Sequence, residues 1–166
     1  KYQFKPPFPF TPGSECSGVV SELGEGVTGV ALGDRVFFGA TSGAFAEEVV
    51  VPAELCFHIP EGMSFEQASA INLVYGTSYH ALKDRGQLKP GEKLLVLGAA
   101  GGVGLATIEL GKAMGATVIA GASNDEKLEV CKQHGADLVF NYAEEYRALK
   151  EADDKESNKA AVNALK

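Results

Sequence analysis

No apolar run in these 166 residues reaches the roughly 20 that a membrane-spanning helix needs, and no signal-like segment opens the chain. Basic blocks are missing too. The formal net charge is −7 and the isoelectric point is near 5.0, which argues against a nucleic acid or an anionic membrane surface as partner. Cysteine is scarce: Cys16, Cys56 and Cys131 stand far apart with no C-x-x-C pair, so neither a disulfide framework nor a zinc cluster is indicated and buried reduced thiols are expected. Internal repeats and low-complexity stretches are absent. These absences fit a cytoplasmic protein, with a mitochondrial one also allowed because a removed transit peptide leaves no trace. What is present, 45% hydrophobic and 22% charged residues, is ordinary for a globular chain. It opens at Lys1, without a methionine, in the proline-rich Lys5-Pro6-Pro7-Phe8-Pro9-Phe10, and is read as a piece of something longer.

The most informative stretch runs from Leu94 to Gly104 and reads as strand, glycine turn, helix. Lys93 to Leu97 suits a strand buried on both faces, Gly98 to Gly104 supplies backbone freedom, and Leu105 to Met114 has helical spacing. With no side chains in the way, the N–H groups that open such a helix can approach a pyrophosphate, where the helix dipole also favours negative charge. The dinucleotide fingerprint G-x-G-x-x-G is met as Ala99-x-Gly101-x-x-Gly104, its first glycine replaced. A tight turn with no ligand is the competing reading of the motif alone.

Before this stretch, Cys16 to Val51 alternates short β-prone runs with glycine turns: Gly18 to Val20, Leu23 to Val27, Arg35 to Phe38 and Phe45 to Val51, the last stopped by Pro52. The spacing predicts a small β-barrel or sandwich. Ser64-x-x-Gln67 has the form of a capping box and opens a helical segment to about Asn72, and a second helical run covers Ser78 to Leu82. After the glycine turn, Thr117 to Ala120 and Leu138 to Phe140 are further strands of a βαβ series, with a helix Glu126 to Gln133 between them capped by Ser123-x-x-Glu126. The domains expected are therefore 1–72, β-rich; 73–145, nucleotide-binding; and 146–166, a charged helical tail.

Taken together, Pro12-Gly13-Ser14-Glu15-Cys16-Ser17-Gly18, Gly24-Glu25-Gly26-Val27, Gly33-Asp34-Arg35-Val36 and Ala99-Ala100-Gly101-Gly102-Val103-Gly104 resemble the medium-chain dehydrogenase/reductase superfamily, most of all its quinone oxidoreductases of the zeta-crystallin type. The resemblance covers about Lys1 to Tyr142. It implies an α/β fold in which a GroES-like β-rich catalytic domain precedes a Rossmann domain of doubly wound parallel sheet, both partial here, with the cofactor in the cleft between them. It also implies that family members extend on both sides of this chain, and the segment after Glu145 does not follow the family pattern.

In zinc-dependent alcohol dehydrogenases of this superfamily a histidine precedes the glutamate of Gly-His-Glu and ligates zinc; here that position is Ser14, and a hydroxyl is a poor zinc ligand. His58, His80 and His134 have unrelated spacing, so no metal is expected. NAD enzymes usually carry Asp or Glu at the end of the second strand for the ribose 2′-OH, and this chain has Ser123, which removes an obstacle to a 2′-phosphate. The resemblance matches Lys127 and Tyr142 to positions that contact that phosphate, against the plainer readings of a solvated helix charge and a half-buried strand aromatic. It also matches Thr77 to a threonine near the nicotinamide; the alternative is that Thr77 caps the following helix, with Tyr75 and Tyr79 undecided.

The cofactor expected is NADPH, held by Thr77, Ala100, Gly101, Gly102, Val103, Gly104, Ser123, Lys127 and Tyr142. The activity expected is zinc-independent hydride transfer to a quinone or to the activated C=C bond of an α,β-unsaturated carbonyl, with no catalytic residue identified. The resemblance implies a homodimer. The rival expectation is a truncated, non-catalytic relative that serves as a structural or nucleotide-binding component of an assembly; a zinc alcohol dehydrogenase is third.

Overall fold

A computed structural model describes residues 5–144. By its internal contacts the chain divides into two units, Lys1–Thr77 and Ser78–Lys166. The charged tail expected over 146–166 lies outside the described residues.

The first unit is built on a three-stranded antiparallel sheet in the order β1 (Glu15–Val19), β2 (Arg35–Gly39), β3 (Phe57–His58). Its register runs from Glu15 opposite Gly39 to Val19 opposite Arg35, and from Val36 opposite His58 to Phe37 opposite Phe57. Alternation along β2 buries Val36 and Phe38 on one face. Arg35 reaches the other way: its Nη2 donates to the Met63 carbonyl at 2.7 Å, and the guanidinium sits 4.6 Å from the centre of the Phe65 ring. Phe65 opens α1 (Phe65–Ala68), where the capping box forms as expected, the Ser64 hydroxyl accepting from the Gln67 amide and the Gln67 side chain accepting from the Ser64 amide. The helix stops four residues before Asn72, and α2 (Asn72–Tyr79) then leads into a π-helical segment, His80–Arg85.

Two β-prone runs do not become strands. Leu23 to Val27 is a turn closed by the Val27 amide on the Gly24 carbonyl, and Phe45 to Val51 is irregular. Only the start of the second run finds backbone partners, the Ala44 and Phe45 amides donating to the Gly13 and Pro12 carbonyls, and Val50 is fully exposed. β-propensity describes fit to a neighbouring strand, and among the described residues neither run has one. The expected barrel or sandwich is thus, within these residues, one open sheet.

The second unit is a parallel sheet in the order β4 (Lys93–Leu97), β5 (Thr117–Ala122), β6 (Leu138–Asn141), linked by α3 (Gly102–Ala113) and α4 (Asp125–Gln133). Leu94, Val96, Val118, Ala120 and Val139 meet Ile108 of α3 and Cys131 of α4 in its core. Gly111 makes the packing close, since a Cβ there would stand 2.6 Å from Leu94 Cδ2. The expectation that β4 is buried on both faces is corrected: Leu95 and Leu97, which alternate away from the helices, are 54% and 65% exposed. Both helices pack on one side, and no described element covers the other. The Lys112 ammonium joins α3 to Asp137 at 2.6 Å, and Asp137 also accepts the Val118 amide at 2.7 Å; these two bonds hold its carboxyl below the usual carboxylate range.

Candidate cofactor site

The turn after β4 is shaped by its glycines. The Ala99 amide extends the ladder by donating to the Gly121 carbonyl, Gly98 takes a positive φ of 63°, and the Gly101 amide folds back onto the Gly98 carbonyl at 3.2 Å. The helix then begins at Gly102, three residues before the periodic run that announced it. Gly101 is its N-cap and offers no side-chain cap, and no acidic residue stands in the first turn. The opening amides of α3 are therefore orphan donors at the positive end of a helix dipole. Gly101, Gly102 and Val103 are exposed, so nothing within the unit's described residues fills the space in front of them.

Gly104 does a different job. A Cβ at this position would lie 2.5–2.7 Å from the backbone O, C and Cα of Ala99, which is itself fully buried, so only glycine lets the helix start this near the strand. Behind the turn, Ser78 is 1% exposed and its hydroxyl lies 3.0 Å from the Val103 carbonyl and 3.0 Å from Thr107 Oγ1, while Thr107 donates its one hydroxyl proton to the Val103 carbonyl at 2.6 Å. This hydroxyl pair braces the first turn of α3. Sequence reasoning passed over it, and no local pattern marks it, because Ser78 and Thr107 are 29 residues apart.

At the ends of β5 and β6 the structure brings two of the expected residues together: Lys127 Nζ donates to Ser123 Oγ at 3.2 Å. Ser123 does not cap α4, however. The cap is Asn124, whose Oδ1 accepts the Lys127 amide at 2.9 Å, and the helix starts one residue earlier than expected, at Asp125. Asn124 has the extended backbone a cap requires, and a side-chain amide oxygen caps at least as well as a hydroxyl. That frees the Ser123 hydroxyl for the lysine. Ala122 pairs with Asn141, so Ser123 and Tyr142 both stand one residue past the last paired position, at the same end of the sheet. Tyr142 is 38% exposed, and the nearby Asp125 is engaged by Asn141 Nδ2 at 3.2 Å. Thr77 lies inside α2 and caps no helix, which removes that alternative for it.

Among the described residues no group of three or more His, Cys, Asp or Glu side chains could hold a metal ion. Each histidine faces one carboxylate: His58 with Asp34 at 3.0 Å, His80 with Asp84 at 2.8 Å, His134 with Glu109 at 2.6 Å. The cysteines are free; Cys131 is buried, whereas Cys16 and Cys56 are only half-buried, and desolvation pushes all three thiols up.

Two family models match the chain, one described as the alcohol dehydrogenase GroES-like domain over residues 1–61, the other as zinc-binding dehydrogenase over residues 102–165. The second match runs past Glu145 to residue 165 and overturns the expectation that this segment departs from the family pattern. Quinone oxidoreductase-like protein 2 of Rattus norvegicus is 40% identical over 98% of this chain and 46% of its own length. A crystal structure of a probable oxidoreductase from Mycobacterium abscessus superposes with a TM-score of 0.81 at 42% identity, covering 91% of this chain and 49% of that one. Escherichia coli quinone oxidoreductase complexed with NADPH gives a TM-score of 0.80 at 35% identity, over 90% of this chain and 47% of that one. The chain thus spans about half the length of the proteins it matches.

Proposed function

Since the chain belongs to the quinone oxidoreductase family of the medium-chain dehydrogenase/reductase superfamily, with a GroES-like unit followed by a Rossmann-like one, we propose that it is the cofactor-binding part of an NADPH-dependent, zinc-independent reductase. Its acceptor in this reading is a quinone or the activated C=C bond of an α,β-unsaturated carbonyl. The observation that carries it is the pairing of Lys127 with Ser123 beside an uncapped glycine turn, with no carboxylate at the end of β5. The donor set fits NADPH. The amides of Gly102, Val103 and Gly104 would hold the pyrophosphate, with Ala100 and Gly101 shaping the turn, and Ser123, Lys127 and Tyr142 would surround the 2′-phosphate. Thr77 is assigned to the nicotinamide on the family resemblance.

When bound, NADPH supplies a hydride, and the acceptor takes up one proton from solvent to complete a two-electron reduction. The residues of this chain bind and orient: backbone dipoles neutralise the pyrophosphate, and Lys127 discriminates the phosphorylated ribose. Ser14, where zinc-dependent relatives carry a histidine, supports the metal-free reading. A homodimer and a cytoplasmic location belong to the same proposal.

A second reading, a non-catalytic component of an assembly, is favoured by one observation, the apolar face formed by Leu95, Leu97 and Leu138, which nothing among the described residues covers. Oxidation of NADPH by the chain with a simple quinone would exclude it.

The test of the cofactor reading is titration of NADPH and NADH fluorescence. We expect NADPH to bind more tightly than NADH and Lys127→Ala to weaken only NADPH, by about tenfold, since an exposed charge-assisted bond lies at the low end of roughly 1.5–3 kcal/mol. Equal affinity for the two, or binding of neither, overturns the proposal.

A further inference from the structure

The peptide that joins Val103 to Gly104 lies in the first turn of α3 and has two polar ends. Helical carbonyls face the C-terminus and helical amides the N-terminus, so the two ends meet different surroundings. At one end, besides its place in the helical ladder, the Val103 carbonyl meets two hydroxyls, Thr107 Oγ1 at 2.6 Å and Ser78 Oγ at 3.0 Å. At the other, the Gly104 amide is one of the orphan donors that open the helix.

Each hydroxyl has one proton to give. Thr107 gives its own to the Val103 carbonyl, and Ser78 gives its own either to the same carbonyl or to Thr107 Oγ1, 3.0 Å away. The first arrangement places two side-chain donors on one oxygen. The second forms a chain in which Ser78 strengthens the bond that Thr107 makes. Both draw electron density toward the Val103 oxygen, and a peptide polarised at its carbonyl is a better donor at its N–H. Stability alone does not call for the pair: apolar groups of the same shape at both positions are nearly neutral, and a threonine bonded back to the carbonyl four residues before it slightly weakens a helix.

We propose that Ser78 and Thr107 are positioning residues that act through the Val103–Gly104 peptide, polarising its carbonyl so that the Gly104 amide donates more strongly to the pyrophosphate of a bound dinucleotide. This deepens the cofactor reading above and rests on it. Lys127 chooses between the phosphorylated and the plain ribose; the hydroxyl pair sets how tightly either dinucleotide is held.

Thr107→Val removes one hydroxyl at nearly constant shape, Ser78→Ala removes the other, and Thr107→Ser keeps the donor without the methyl group. The full chain is followed by amide shifts of 15N-labelled, ligand-free protein, by thermal unfolding, and by fluorescence titration with NADPH and NADH. We expect the Gly104 amide resonance to move upfield in Thr107→Val and Ser78→Ala, while the Gly102 amide, whose peptide carries the Gly101 carbonyl, stays in place. Both dinucleotides should bind about twofold more weakly in each single variant and about fourfold in the double, because polarisation of about 10–30% per bond acts here on a charge-assisted hydrogen bond. The ratio of NADPH to NADH affinity should not change, and Thr107→Ser should keep both the resonance and the affinity. If Ser78→Ala does not fold, Thr107→Val, at a half-buried position, decides alone.

A Gly104 resonance that stays in place, parental affinity in the variants, or a loss confined to NADPH overturns the proposal; a lower melting temperature with neither change leaves the pair a structural role only. A parent chain that prefers NADPH, with variants that bind as it does, defeats this inference and spares the cofactor reading. A parent chain that binds neither dinucleotide defeats both.

Discussion

Replacing Gly104 by alanine adds one methyl group at the tightest point of the cofactor turn. The new carbon would sit 2.5–2.7 Å from three backbone atoms of Ala99. Carbon pairs settle near 3.5–4.0 Å, so about 1 Å of separation must open between α3 and the end of β4. No flexible side chain can absorb it, because the obstructing atoms are main chain and Ala99 has 0% exposure. Overpacking of this kind destabilises by about 1–3 kcal/mol, and the better helix propensity of alanine returns at most about 1 kcal/mol. A net loss of about 1–2 kcal/mol corresponds to a melting temperature lower by roughly 3–6 °C in a chain of this size. Gly101→Ala is the matched control, since its Cβ would meet only the Gly98 carbonyl, at an ordinary 3.5 Å. Thermal unfolding by circular dichroism, with NADPH titration of each variant, gives the answer. Gly104→Ala should melt lower and bind NADPH more weakly. Gly101→Ala should keep a near-native melting temperature and lose affinity, because its methyl group would stand where the pyrophosphate approaches. A Gly104→Ala protein that melts at or above the parent temperature would refute the contact argument.

Two further expectations concern titrating groups. Asp137 has a folded-state value below its unfolded one because of Lys112 and the Val118 amide, so the folded chain binds fewer protons there. Its contribution is complete above about pH 4 to 5 and disappears as pH falls through the lower, folded value, so Asp137→Asn should lower the urea midpoint at pH 7 and have a shrinking effect toward pH 3. A difference that persists unchanged in acid would contradict the assignment. Among the thiols, Cys131 has 0% exposure, while Cys16 and Cys56 are half-buried, so iodoacetamide followed by mass mapping at pH 7.5 should label Cys16 and Cys56 first and Cys131 only on unfolding. Early labelling of Cys131 would show that the α4 contact with the sheet opens readily.

What consecutive residues encode was legible without the structure. The glycine turn, the capping box at Ser64 and the strand–helix alternation from Lys93 to Asn141 follow from dihedral freedom, hydrogen-bonding reach over three or four residues, and period, all of which are local; the family was legible separately, through the resemblance of its separated motifs. Tertiary structure decided the rest. Whether Phe45 to Val51 becomes a strand depends on a partner strand and not on its own β-branched side chains. The cap of α4 fell to Asn124, whose side chain accepts the Lys127 amide, and the Ser123 hydroxyl instead meets the Lys127 ammonium. Leu95 and Leu97 are exposed because both helices lie on the opposite face of the sheet, which no window along β4 can reveal. The brace of Ser78 against Thr107 joins residues 29 positions apart, and chain closure over such a distance is written in no local pattern.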